Sequence, residues 1–268
     1  METNKYNNIT VVAIYGNSKG EDAVPAIKKT CAALPGSKPL LITNMALDVD
    51  IEQKFLGSPM SYEGYSDFVM YQLHAYIETE YALIVQHDGW ALNPENWRDE
   101  WLQYDFIGGL THAALGSDFH FHRNYEYVGK GDCRIVQNGG FSLRSKRFLE
   151  AMTKYGITVQ RFNLQMLNNE DIQLCCFLRP YLEKVGMRFA PDEEAKLFSF
   201  EHLSPVVHAD VDFKKIFGHH SRFRKLTSEN TMDWLMTKEE MNQIALEDEI
   251  YGLFEHYGYE IRRVERVS

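Results

Sequence analysis

Four apolar residues, Ala82-Leu83-Ile84-Val85, run directly into Gln86-His87-Asp88-Gly89. A short apolar run that stops at a turn signal predicts a strand buried on both faces. In an open α/β sheet, ligands collect in the crevice beyond the carboxyl ends of such strands. Asp88 would then stand on a rigid element at the water boundary, placed to hold a divalent cation. Asp-Gly is equally a frequent turn dipeptide. These residues alone leave site and turn both open.

The chain upstream supports a sheet of this kind. Residues 9–15 read as a strand, 16–20 as a polar turn and 21–34 as a helix stopped by Pro35-Gly36, followed by a strand over 40–43. This β-α-β opening favours a parallel sheet. The first loop is not G-x-G-x-x-G, so no dinucleotide fingerprint is present. With 268 residues, 44% hydrophobic, the chain can bury the core of one large domain or of a domain with an extension. A net charge of -10 argues against a general nucleic-acid binder. No apolar run approaches the roughly 18 residues of a membrane span, and the first residues hold no apolar signal core. None of Cys31, Cys133, Cys175 and Cys176 forms C-x-x-C. Neither a zinc ribbon nor a disulfide framework is indicated, and a cytoplasmic location is expected.

Further along, Asp48-Val-Asp50 and Asp210-Val-Asp212 are formal D-x-D patterns in polar surroundings and read as turns. Ser66 is the expected N-cap of a helix reaching Ile77. A second helix is expected over 95–102, with Trp97 and Trp101 packing, and a short strand over 105–109. Residues 111–132 have no clear element and read as a lid. Within them His120 and His122 would share one strand face as a metal pair, with solvated histidines as the alternative. Asn138-Gly139-Gly140 leads into a strand and then a helix over 146–155 capped by Ser145. Its glycines either let backbone approach a ligand or merely supply flexibility. Glu170-Asp171 opens a helix to Leu182, bent at Pro180. Acidic residues suit a helix N-terminus, and a carboxylate facing a cleft there suits a general base. Residues 187–190 read as a strand. Gly218-His219-His220 with Arg222, Arg224 and Lys225 reads as a metal–phosphate site or as a basic turn. The tail from Asp233 reads as helical, with a capping box at Thr237 and Glu240. Leu246, Ile250, Leu253, Phe254 and Tyr257 make an apolar stripe for packing or dimerisation.

The order of these motifs carries a resemblance. Tyr65-Ser-Asp-Phe is followed by Gln86-His-Asp-Gly-Trp, Asn93-Pro94 and Tyr104-Asp-Phe-Ile-Gly108. Asn138-Gly-Gly-Phe-Ser-Leu-Arg-Ser145, Glu170-Asp171, Arg188-Phe-Ala-Pro191, Phe198-Ser199 with Glu201, and Phe217-Gly-His-His220 come after. This resembles a poorly characterised family of glycosyltransferase-like proteins carrying a domain of unknown function. The resemblance implies a GT-A type fold: a Rossmann-like, mostly parallel sheet flanked by helices. The catalytic domain would cover 1–228 and a helical C-terminal extension 229–268. A D-x-D-like motif would hold Mn²⁺ or Mg²⁺ on the donor diphosphate. Gln86-His87-Asp88-Gly89 occupies its place, with Gln86 where the first carboxylate would stand. Asp88, with His220 or His219, would ligate the metal. Arg222 would offset leaving-group charge. Asn138, Gly139, Gly140 and Arg144 would border sugar and acceptor. Asp171, ahead of Glu170, would deprotonate the acceptor.

The resulting expectation is a metal-assisted glycosyltransferase of polysaccharide biosynthesis, cytoplasmic or peripheral at the inner face of the membrane. It would take a nucleotide sugar, first a UDP-sugar, and a glycan or glycoconjugate acceptor, with no nucleic-acid partner. A homodimer would form through the C-terminal helix. Two alternatives stay open. One is a metallohydrolase built on His120, His122, Asp88 and His219 or His220. The other, prompted by Gln86, is a non-catalytic nucleotide-sugar-binding relative.

Overall fold

A computed structural model describes residues 4–16, 20–236 and 247–264. Strand β1 (Ile9–Tyr15) is almost wholly buried. Helix α1 (Val24–Ala33) returns the chain to β2 (Lys38–Thr43), which pairs with β1 in parallel. The edge strand β3 (Glu52–Phe55) pairs in parallel with β2. Helix α2 (Tyr62–Tyr71) then carries the chain to β4 (Tyr81–Ile84) on the other side of β1. The order β3-β2-β1-β4 reverses the direction of growth at β1, and such a reversal opens a crevice at the carboxyl ends of β1 and β4.

Beyond β4 the sheet continues through β5 (Gly89–Ala91), β6 (Phe106–Gly116), β7 (Phe121–His122), β8 (Cys133–Ser145), β9 (Ser199–Phe200) and β10 (Gly218–His220). The order is β4-β8-β6-β9-β10-β5, with β7 on β6, in a ten-stranded sheet. Parallel pairings outnumber antiparallel ones. The result is a mixed α/β fold with a large central sheet, Rossmann-like in its first half and flanked by helices.

Several local expectations are corrected. Ser61, not Ser66, caps α2 by accepting the Gly64 amide; Ser66 is buried inside the helix. The 95–102 helix is two 3₁₀ turns, but Trp97 and Trp101 do pack, edge to face at 5.5 Å. The strand begun near Asp105 runs to Gly116, because β8 offers a partner at both its ends and at Leu110. Much of the expected lid is therefore the β6–β7 hairpin. Helix α3 (Lys146–Lys154) is capped by Ser145, and the helix from Glu170 is a short α turn, α4 (Glu170–Ile172), then a π turn and α5 (Arg179–Lys184). Pro180 sits in the first turn of α5, where its missing N–H costs nothing. Residues 187–190 make a single bridge, Phe106 to Phe189, rather than a strand. Helix α6 (Asp192–Phe198) follows and leads into β9.

The tail is not wholly helical. Strands β11 (Arg224–Leu226), β12 (Thr231–Trp234) and β13 (Glu260–Arg263) form a second sheet, with α7 (Glu247–His256) between the last two. Met232 and Trp234 point inward while Thr231 and Asp233 are part-exposed, a period of two that suits a strand. Ile250, Leu253 and Phe254 are buried with Trp90, Phe200 and Trp234. These three residues of the apolar stripe are thus used within the chain, and Tyr257 is partly buried beside them. Thr237, Glu240 and Leu246 lie outside the described residues. Among the described residues, no helix is long and apolar enough to cross a membrane.

Candidate functional site

A cleft of about 420 Å³ opens at the carboxyl ends of β1 and β4. Tyr15 and Gly16 reach it from β1, and Gln86 and His87 from the end of β4. Residues 86–89 form a turn, closed by the Gly89 amide on the Gln86 carbonyl at 3.0 Å, which feeds β5. The stretch is a turn whose Gln86 and His87 edge the cleft, while Asp88, expected at the water boundary, is buried.

β8 supplies the floor through a bulge. Gly108 faces Ser142 across the β6–β8 ladder, yet Leu110 already faces Gln137. The extra residues of β8, including Asn138-Gly139-Gly140, leave the ladder at that point. Bulges re-aim side chains in this way. Asn138 closes the bulge: its Oδ1 accepts the amides of Gly140 at 2.7 Å and Phe141 at 3.1 Å. The two glycines make room for the protein's own side chains. A Cβ on Gly139 would fall 2.2 Å from Glu170 Oε1, and one on Gly140 would fall 2.3 Å from His220 Nε2.

With Oδ1 occupied, the Asn138 amide donates to Glu201 at 2.9 Å and to His220 Nδ1 at 2.9 Å. That pattern makes Nδ1 an acceptor and puts the ring proton on Nε2. Nε2 faces Gln86 Oε1 at 3.1 Å, and Asp88 Oδ1 stands 3.4 Å from the same nitrogen. Gln86 in turn donates to the Tyr65 hydroxyl at 3.1 Å. Burial opposes charge on His220, but Asp88, Glu201 and Asp171 outweigh it and raise its pKa to about 9. A second proton on Nδ1 would face the Asn138 NH₂, so charging the ring requires that hydrogen bond to open. Burial likewise opposes charge on Asp88, and the facing His220 prevails, bringing the carboxyl down to about 2.

Three carboxylates line the cleft, and they differ. Glu170 is paired with buried Arg144 at 3.2 Å. Glu201 is held below the usual carboxylate range: burial opposes its charge, but the nearby His202 and His220 and the Asn138 hydrogen bond outweigh that. Asp171 is the opposite case. Burial, then the charge of Glu170, raise it from 3.8 to about 7. A carboxyl near neutrality in a cleft is suited to take or give a proton.

The structure brings together most of the residues expected here, but not all. Gln86, His87, Asn138, Gly140, Glu170, Asp171 and His220 line the cleft. Gly139 and Arg144 lie just beneath, against Glu170. Asp88 stands behind His220 rather than on the cleft wall, and Gly89 packs against His219 and His220. His219 faces the other way: its ring is fully buried, 4.0 Å from Trp90 and 4.9 Å from Phe254. Arg222 is exposed, its guanidinium over Phe223 at 4.7 Å, and is not on the cleft wall. His120 and His122 sit together at the β6–β7 hairpin, rings 4.7 Å apart, and do not reach the cleft. Glu201, Tyr15, Tyr62 and Tyr65 were not expected as site residues; Tyr65 and Glu201 stand in motifs that carry the resemblance, while nothing local to the sequence sets Tyr15 and Tyr62 apart.

Of the expected metal ligands, Asp88 and His220 face each other at 3.4 Å, whereas His219 points away toward Trp90. Among the described residues no group of three or more His, Cys, Asp or Glu could hold a metal. A cation of the Mg²⁺ or Mn²⁺ type needs less, since one or two carboxylates plus substrate phosphates suffice. Glu201, ionised and on the cleft wall, fits that donor chemistry.

A family model described as "Protein of unknown function (DUF5672)" matches residues 49–220, more than half of the 268 residues. The chain belongs to this family. The matched stretch runs from the loop before β3 to His220, so it contains the whole Gln86–His220–Asn138–Glu201 network and both residues of the Glu170-Asp171 pair. Tyr15 and the tail fall outside it. No curated protein matches the chain.

Proposed function

We propose that the chain is a glycosyltransferase with a GT-A type fold. It moves a sugar from a nucleoside-diphosphate donor to a hydroxyl of a glycan or glycoconjugate, with Asp171 as general base. One observation carries the reading. A carboxyl raised to about 7 lines a cleft at the strand-order reversal of a Rossmann-like sheet, where α/β folds bind their ligands. A base that titrates near neutrality takes a proton from an acceptor hydroxyl as the new glycosidic bond forms.

Among the described residues, the cleft wall contains no lysine or arginine. A diphosphate donor therefore enters as its complex with Mg²⁺ or Mn²⁺, with Glu201 as the protein's oxygen ligand. Such a cation, when bound, offsets the charge gathering on the departing diphosphate. Gln86 and Asn138 hold His220 and Glu201 in register. Arg144 holds Glu170 in place beneath the base, and the charge of Glu170 keeps Asp171 basic. The four unpaired cysteine thiols fit the cytoplasm as the compartment.

The test is a thermal-shift screen of nucleoside diphosphates, UDP first, each with and without Mg²⁺ or Mn²⁺. A ligand that binds only the native state raises the melting temperature by mass action. The reading expects a shift with one nucleotide that needs the cation and is lost in Glu201→Gln. Shifts with cation alone, or with no nucleotide, would sink it.

A further inference from the structure

Tyr62 is 65% exposed, yet it lines the cleft beside Asp171 and Glu170. Leaving a large aromatic in water forgoes the stabilisation that burial would give it. The ring is nevertheless held on a firm base. Ser61 caps α2 by accepting the Gly64 amide at 3.0 Å, so Tyr62 is the first residue of a capped helix. The preceding residue, Met60, is tied by its amide to the Gly16 carbonyl at 2.8 Å, at the end of β1. The ring thus stands on two elements that also build the cleft.

The charge of the wall narrows what such a ring can receive. Its acidic members are Glu170, Asp171 and Glu201, and among the described residues no lysine or arginine joins them. Arg144 lies beneath and is taken by Glu170. An anionic sugar brought to Tyr62 would meet these carboxylates, and the charge of His220 is already set against Asp88 at 3.4 Å. A pyranose has an apolar C–H face that packs on an aromatic ring, while its hydroxyls turn to polar groups. Asp171 and Asn169, both on the cleft wall, are the polar groups beside Tyr62.

We propose that Tyr62 is the stacking platform of the acceptor subsite, and that the acceptor is an uncharged saccharide with a hydroxyl directed at Asp171. This rests on the glycosyltransferase reading for the word acceptor. The binding itself can be measured without turnover.

The experiment is saturation-transfer NMR on the whole chain with methyl glucoside, methyl N-acetylglucosaminide and glucuronate as probes. The wild type is compared with Tyr62→Ala and Tyr62→Phe. The neutral glycosides should receive saturation, bind about tenfold more weakly to Tyr62→Ala, a loss near 1.4 kcal/mol, and return to wild-type affinity in Tyr62→Phe. Glucuronate should bind more weakly than either. Unchanged binding in Tyr62→Ala, glucuronate equal to the neutral sugars, or no saccharide bound at all would each overturn the proposal. Metal-dependent nucleotide binding with no saccharide binding removes the subsite alone. Saccharide binding with no nucleotide binding removes the glycosyltransferase reading and leaves the subsite.

Discussion

Replacing Arg144 by methionine removes the cation that pairs with Glu170 beneath the cleft. The Arg144 side chain is 1% exposed and that of Glu170 is 8% exposed, with 3.2 Å between them. Arg144 Nε also donates to Ser142 Oγ at 3.1 Å, and the guanidinium lies 4.9 Å from the centre of the Phe106 ring. Methionine keeps much of the contact with Phe106 but leaves Glu170 charged and unpaired beside Asp171. Removing one partner of a buried pair costs about 3–5 kcal/mol, against about 0.2–1 kcal/mol for an exposed pair. Ser142 keeps its bond to the Gly139 carbonyl, so its loss adds little. Urea unfolding at neutral pH of Arg144→Met, Glu170→Gln and the double variant measures this. Arg144→Met should lose about 3–5 kcal/mol, and the double variant should lose less than Arg144→Met alone, because the stranded charge is gone. A loss below about 1 kcal/mol, or two single losses that simply add, would refute the claim that this pair is a buried, coupled unit.

Three other predictions concern titration and packing. Asp171 has a folded pKa raised from 3.8 to about 7, so its contribution to stability is fully present below the unfolded value and is lost as pH rises through about 7. Denaturation across that window should therefore show Asp171→Asn gaining on the wild type as pH rises. His219 is fully buried with neither ring nitrogen hydrogen-bonded, and burial holds its pKa well below 6.5. The unfolded chain takes up a proton that the folded chain refuses, so stability falls as pH drops below 6.5. His219→Phe should flatten that fall in melting curves; an unchanged slope would remove His219 from the account. Phe254 is fully buried between Trp90, His219 and Trp234. Phe254→Ala should cost about 3–5 kcal/mol in urea unfolding, whereas a loss below about 1 kcal/mol would mean that α7 does not belong to the main core.

The parts legible in the sequence were those set by local pattern. Residues 9–15 and 82–85 are apolar runs that end at turns, and both are strands at the centre of the sheet. Glu170-Asp171 could be read as a pair at a helix start, which it is. The rest depends on partners far away in the chain. Asn138-Gly139-Gly140 announced itself by its glycines. Their purpose, clearing His220 and Glu170, is visible only once residues 82 and 31 or so positions away are in place. His219 and His220 looked equivalent as neighbours, but successive residues of a strand point to opposite faces. One went to the aromatic core and the other to the cleft. The tail was read as helix from the stripe that forms α7. The short strand β12 needed β13, about 30 residues later, before its period of two meant anything.

The most direct measurement is release of nucleoside diphosphate from a panel of nucleotide sugars with Mg²⁺ and a neutral glycoside, followed against pH for wild type and Asp171→Asn. The account predicts release from one donor, rising with pH through about 7 as Asp171 ionises, and loss of release in Asp171→Asn while nucleotide binding by thermal shift persists. Release in Asp171→Asn at the wild-type rate and with the same pH profile would contradict it, as would no release from any donor.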